Sequence, residues 1–98
     1  MFKKYNIYPG QIYYARNNKY DIEAEIISNK YIYIQISVYD NKYDGYIYYN
    51  ILDKIEIKPS FLLNQKIIIN KIDYDNYDNK LIITINNDAL KLIIINNN

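Results

Sequence analysis

The sequence predicts an all-β fold, a small single-domain β-barrel spanning residues 1–98. Three observations predict it. Ile, Tyr, Val and Phe dominate while helix formers are scarce, and β-branched and aromatic side chains suit a pleated, half-buried surface. Apolar residues recur with a period of two: across 31–39 every even position (Ile32, Ile34, Ile36, Val38) is aliphatic and every odd one is Tyr, Gln or Ser. Short segments rich in Asn, Asp and Lys separate these runs, as tight hairpin connections require. A chain of 98 residues supports one hydrophobic core.

Seven strands follow in order, over residues 11–16, 20–27, 31–39, 45–49, 66–73, 80–86 and 89–95. The turns between them fall at 17–19, 28–30, 40–44, 75–79 and 86–88, where Asn tolerates the left-handed backbone that tight turns need. Residues 50–64 break the alternation. Pro59 bars a central strand there, and Ser60, Phe61, Leu62 and Leu63 fit a single helical turn, so this segment reads as a crossover by loop or short helix. Residues 96–98 read as a frayed polar tail. The C-terminal strand, ending in Ile93, Ile94 and Ile95, is strongly β-prone. It either closes the barrel or pairs by strand addition across a homodimer or partner interface.

Ile, Asn, Tyr and Lys fill 62 of the 98 positions. All four have A/T-rich codons, so the composition points to a genome of extreme A/T bias, as in some viruses, phages and bacteria, and part of the Ile and Asn usage reflects drift. The chain has no His and no Cys. That excludes His-based acid–base catalysis, His-assisted Ser and Cys nucleophiles, and Cys/His zinc sites, so neither an enzyme nor a cofactor is expected. A net charge of +1, with the signs mixed along the chain and a single arginine, Arg16, fits poorly with phosphate-driven nucleic-acid binding. The longest apolar runs, 67–69 and 92–95, fall far short of the ~18 residues of a membrane span, and the N-terminal residues lack an apolar signal core. A cytoplasmic location away from membranes is the expectation.

Three groups of side chains bear on function. Asp73, Asp75 and Asp78 have a spacing that could hold a hard cation, but an EF-hand would need Gly and Glu where Asp78 and Thr84 stand, and an acidic hairpin turn is the plainer reading. Glu23 and Glu25 lie two apart on one strand face. Paired carboxylates serve glycosidases, yet such a pair is common on exposed strands. The tyrosines are more informative: Tyr31, Tyr33 and Tyr39 line one strand face, and Tyr46, Tyr48 and Tyr49 fall on the next strand. Neighbouring exposed rings make a platform for stacking bases or anchoring a protein, or simply stabilise the sheet as cross-strand pairs. Tyr31, Tyr33 and Tyr48, with Tyr46, are the candidate binding surface.

The stretch 38–52, Val-Tyr-Asp-Asn-Lys-Tyr-Asp-Gly-Tyr-Ile-Tyr-Tyr-Asn-Ile-Leu, resembles a strand, a Tyr-Asp-Asn turn and an acidic-Gly-hydrophobic-Ile step of OB-type barrels of the S-one class. In particular it resembles the amino-terminal domain of the alpha subunit of eukaryotic initiation factor two. Tyr13-Tyr14 and Lys19-Tyr20 ahead of 22–26, and 66–73 followed by 79–85, are similar to its first and last strands. The crossover after Leu52 is shorter than in that family, and its kinase-docking Lys-Gly-Tyr-Ile-Asp stands here as 79–83 with one Ile, Ile82, kept. Stand-alone versions of this domain act in poxviruses and related viruses as decoys for an antiviral kinase. The resemblance therefore implies a non-enzymatic protein-binding module, a virus- or phage-encoded inhibitor or decoy acting on a host defence or translation protein. The S-one class also implies the alternative of a barrel that binds single-stranded RNA. A second resemblance, to Tudor-like small barrels through Gly10, Ala15, Tyr20, Ala24 and Asp44-Gly45, covers residues 9–58 and would leave an extra C-terminal hairpin.

Overall fold

The computed structural model of the protein describes residues 8–28, 30–38, 41–48, 55–56, 67–75 and 77–96. Among them there are eight strands and no helix: β1 (Ile12–Arg16), β2 (Asp21–Ile26), β3 (Tyr31–Val38), β4 (Asn41–Tyr48), β5 (Ile55–Glu56), β6 (Ile68–Asp75), β7 (Lys80–Ile85) and β8 (Asp88–Asn96). All pair antiparallel in one sheet of order β4-β3-β2-β1-β8-β7-β6-β5, curled into a half-barrel. Two four-stranded meanders are thus joined where β1 meets β8. The curl and size are compatible with a small OB-like barrel, while the strands run in consecutive rather than Greek-key order.

Alternation decides which side chains fill the inside of the curl. Ile22, Ala24, Ile32, Ile34, Ile36, Ile69, Ile72, Leu81, Ile83, Ile85 and Leu92 are fully buried, and Val38 and Ile47 nearly so. The inward aliphatic face expected at 32, 34, 36 and 38 is therefore observed. Tyr13, Tyr20, Tyr43 and Tyr74 also point inward. At the rim the Tyr13 hydroxyl donates to the buried Gln11 Oε1 at 3.2 Å and that of Tyr74 to Asn79 Oδ1 at 2.8 Å, while the Tyr20 hydroxyl accepts from Asn86 Nδ2 at 3.3 Å.

The turns show why asparagine recurs. Asn86 and Asn87 both have positive φ, 48° and 70°, between the paired residues Ile85 and Asp88, which is the two-residue hairpin whose twist matches its strands. Asn17 Oδ1 accepts the backbone N–H groups of Lys19 and Tyr20 and closes the β1–β2 turn. Asn70 Oδ1 accepts from the Asn87 N–H, and Asn86 Oδ1 from the Ile68 N–H, tying the β7–β8 turn to β6 beside its register shift. These asparagines have structural work that codon drift does not explain.

Several expected boundaries move. The turn placed at 40–44 is strand from Asn41 onward, because Val38 pairs directly with Asn41 and the alternation Tyr43, Gly45, Ile47 continues inward from there. Ile55 and Glu56, placed in the crossover, form β5 against Ile69 and Ile68; the helical turn expected at 60–63 lies outside the described residues. Asn96 is not frayed but ends β8 opposite Ile12, while residues 97–98 lie outside the described residues. The C-terminal strand, expected either to close the barrel or to pair with another chain, is instead an inner strand, β8, that joins the two meanders, and the sheet stays open at β4 and β5. Both edges of β8 are taken, by β1 and β7, so its backbone cannot accept an added strand.

Candidate functional site

The four tyrosines singled out from the sequence come together. β3 and β4 pair with Tyr31 opposite Tyr48 and Tyr33 opposite Tyr46, so all four rings stand on the outer face of the last two strands of the sheet. The local cause is parity: Ile32, Ile34 and Ile47 face inward and their neighbours must face outward. The rings of Tyr31 and Tyr48 meet edge to face, 5.6 Å between centroids and 84° between planes. Tyr33 and Tyr46 lie 5.1 Å apart at 57°. Tyr31, Tyr46 and Tyr48 are 46 %, 71 % and 52 % exposed, whereas Tyr33 is half-buried.

Tyr33 anchors the group. Its hydroxyl donates to Asp44 Oδ2 at 3.0 Å, a bond from β3 to the outward side chain that precedes Gly45 on β4. That bond, with partial burial, raises the Tyr33 phenol above the ordinary tyrosine value, because ionisation would destroy it and set phenolate beside carboxylate. Around the quartet the register places Glu25 beside Tyr33 on β2, and Glu23 beside Gln35, which itself pairs with Asp44. Lys42 stands two residues beyond Asp44, and Lys30 just precedes Tyr31. The rim nearest Tyr33 and Tyr46 is therefore acidic. Tyr39 and Tyr49 lie outside the described residues.

The carboxylate groups do not converge. Asp75 Oδ1 accepts the backbone N–H groups of Tyr77 and Asp78 and so caps its own turn, while Asp73 pairs with Lys71 at 3.0 Å. Among the described residues no three His, Cys, Asp or Glu side chains are grouped to hold a metal ion. Glu23 and Glu25 share the outer face of β2 as expected, with no pocket between them among the described features.

A second polar feature, not anticipated from sequence, lies at the β1–β2 hairpin. Arg16 pairs with Asp21 Oδ2 at 2.9 Å and its guanidinium sits 5.8 Å from the Tyr14 ring centroid. The Tyr14 phenol is raised by its hydrogen bond to Asp21 and by desolvation. Partial desolvation pushes the Asp21 carboxyl up, but hydrogen bonds from Arg16 and Tyr14 outweigh it and the net direction is down. The shallow depression beside this trio, bounded by Asn17, Lys19 and Ser37, holds about 210 Å³. That is below the ~300 Å³ at which small-molecule sites begin. The tyrosine quartet is the stronger candidate.

Comparison of the chain with protein-family models, with curated proteins and with solved structures returned no match.

Proposed function

We propose that this domain is a non-enzymatic protein-binding module whose working surface is the quartet Tyr31, Tyr33, Tyr46 and Tyr48. One observation carries the reading: a preassembled, exposed aromatic ladder whose half-buried member is held by Asp44 and bordered by Glu25. Tyrosine offers large contact area with only two side-chain torsions to freeze, and cross-strand ring packing, edge to face in Tyr31–Tyr48 and tilted in Tyr33–Tyr46, restricts them here. The acidic border favours a protein over a nucleic acid, since carboxylates beside the rings repel the phosphates that would accompany stacked bases.

The finer reading is that of an inhibitor or decoy, virus- or phage-encoded and working inside the host cell on a defence or translation protein. It is supported by the S-one resemblance of residues 38–52 and by the A/T-driven composition. The meander order of the strands lends that resemblance no added weight. The test is the variant Tyr31→Ala/Tyr33→Ala/Tyr48→Ala, assayed by affinity capture from host lysate with and without nuclease, and by single-stranded RNA binding at two salt concentrations. Each truncated ring should cost about 1 to 3 kcal/mol of binding. Loss of nuclease-resistant capture with unchanged melting supports the reading. Salt-sensitive RNA binding lost in the same variant would replace it with the RNA-binding alternative.

A further inference from the structure

The outer face where β1 meets β8 carries an apolar exposure that the quartet does not account for. Ile93 and Ile95 are 57 % and 58 % exposed, although β8 is an inner strand paired on both sides. Tyr14 stands opposite Ile93 on β1, Ile12 lies further along β1, and Ile82 shares the same face on β7; all three are half-buried. Together they form an apolar stripe running with the strands.

The flanks of that stripe carry opposite charges. Through the register, one row across the sheet reads Glu23 on β2, Tyr14 on β1, Ile93 on β8 and Lys80 on β7. Neither Glu23 nor Lys80 has an ion-pair partner among the described residues. Asp75, which pairs with Lys80 in the β6–β7 register, instead caps the following turn. With neighbouring strands about 4.8 Å apart, Glu23 and Lys80 are roughly 14 Å from each other and cannot meet within one chain.

We propose that a second copy of this chain docks on this stripe, related to the first by a two-fold axis that runs between β1 and β8 parallel to the strands. Rotation about that axis sets Tyr14 on Ile93 of the partner subunit and Glu23 on Lys80 of the partner subunit, and the reverse; Lys91, the next outward position on β8, then faces Arg16 of the partner subunit, whose charge is shared with Asp21 in an ion pair. An axis across the strands would set acid on acid. The curl suits the arrangement, because two outward-curved sheets touch along a line in the strand direction, and the long Glu and Lys side chains span the widening gap on each side. The contact is isologous, as closed homodimers require. It is distinct from the quartet, which lies on β3 and β4 beyond β2.

Sedimentation equilibrium of the full chain at low and high salt tests this. Wild-type protein dimerises, less tightly at high salt. Glu23→Lys alone and Lys80→Glu alone each weaken self-association by about tenfold or more, because each sets like charges face to face twice. An equimolar mixture of the two variants recovers tight association as a heterodimer, since each supplies the charge the other has lost. Ile93→Ser weakens the dimer at both salt concentrations. All three positions are on the outer face, and unchanged melting confirms that each variant is folded. A wild-type chain still monomeric at about 1 mM overturns the proposal. So does a mixture no tighter than its components, or self-association that survives both charge variants but is lost in Tyr31→Ala/Tyr33→Ala/Tyr48→Ala.

Discussion

Replacing each of the two glycines by alanine should move stability in opposite directions. Gly45 lies inside β4 on the inward face, opposite Ile34, with extended rather than left-handed backbone, and no atom stands within 4 Å of the position a Cβ would take. Gly10 also has open space around it, but its φ is +89°. It follows Pro9 in a turn closed by the Gln11 N–H donating to the Tyr8 carbonyl at 3.2 Å, the arrangement in which Pro sets the first central position and a positive φ is demanded of the second. Because neither site offers a clash, the two substitutions differ only in backbone conformation.

Gly45→Ala should stabilise the fold by about 0.4 to 1 kcal/mol, since it removes conformational freedom from the unfolded chain at a position the strand already occupies. For a domain of this size that is a rise in Tm of roughly 2 to 8 °C. Gly10→Ala should destabilise by about 1 to 2 kcal/mol, the cost of a left-handed L-residue. Urea unfolding with a common m-value for the three proteins reads both changes. A loss of stability in Gly45→Ala would refute the reasoning, because it would mean that another group fills the inner side of β4 at that point.

Ile34→Ala, in a fully buried position facing Gly45, should cost about 2 to 5 kcal/mol by equilibrium unfolding, and a value under 1 would show that the inward face of β3 is not core. Asn87→Ala should cost about 1 kcal/mol while Asn87→Gly costs nothing, because φ is 70° and the backbone N–H that donates to Asn70 is common to both. The Tyr33 phenol should titrate above the ordinary tyrosine value by NMR, and Asp44→Asn should bring it down. Its folded-state value exceeds the unfolded one, so the Tyr33–Asp44 bond contributes fully below the ordinary tyrosine value and is lost as pH rises through the raised one.

The meaning of the tyrosines could be read from period but not from residue type. Tyr13 and Tyr14 are adjacent, yet one is in the core and the other on the outer face; Tyr43 is buried and Tyr46 the most exposed of the quartet. In β3 the alternating aliphatics settle the matter, and the outward placement of Tyr31 and Tyr33 was legible for that reason. In β4 the run Asn41-Lys42-Tyr43-Asp44-Gly45 has turn composition, so hairpin register had to come from structure. A turn across 40–44 would have set Tyr46 against Val38 and Tyr48 against Ile36, on the inner face. The observed hairpin, with Val38 against Asn41, changes the parity of pairing and turns both rings outward to meet Tyr31 and Tyr33.

Asparagine illustrates the opposite error. Discounting it as a product of codon bias overlooks Asn17, Asn79, Asn86 and Asn87, whose side chains or positive φ values build the turns. Codon bias supplies many asparagines; left-handed backbone positions and unpaired amides in turns select where they are kept. The stripe on β8 was illegible for a related reason. Ile93 and Ile95 look like core residues in sequence, and only the register with β1 and β7 places Leu92 inside and leaves the isoleucines in water.

The strand between the two apolar surfaces then acquires a physical role. β2 presents Asp21, Glu23 and Glu25 outward, with Glu25 beside Tyr33 on one side and Glu23 beside Tyr14 on the other. Without that acidic row the quartet and the isoleucine stripe would merge into one apolar patch across the sheet, of the kind that drives indiscriminate association. With it, each surface has a charged rim. A partner for the quartet must tolerate or satisfy Glu25, and a second copy on the stripe must bring a cation to Glu23, so one strand of carboxylates gives selectivity to both faces.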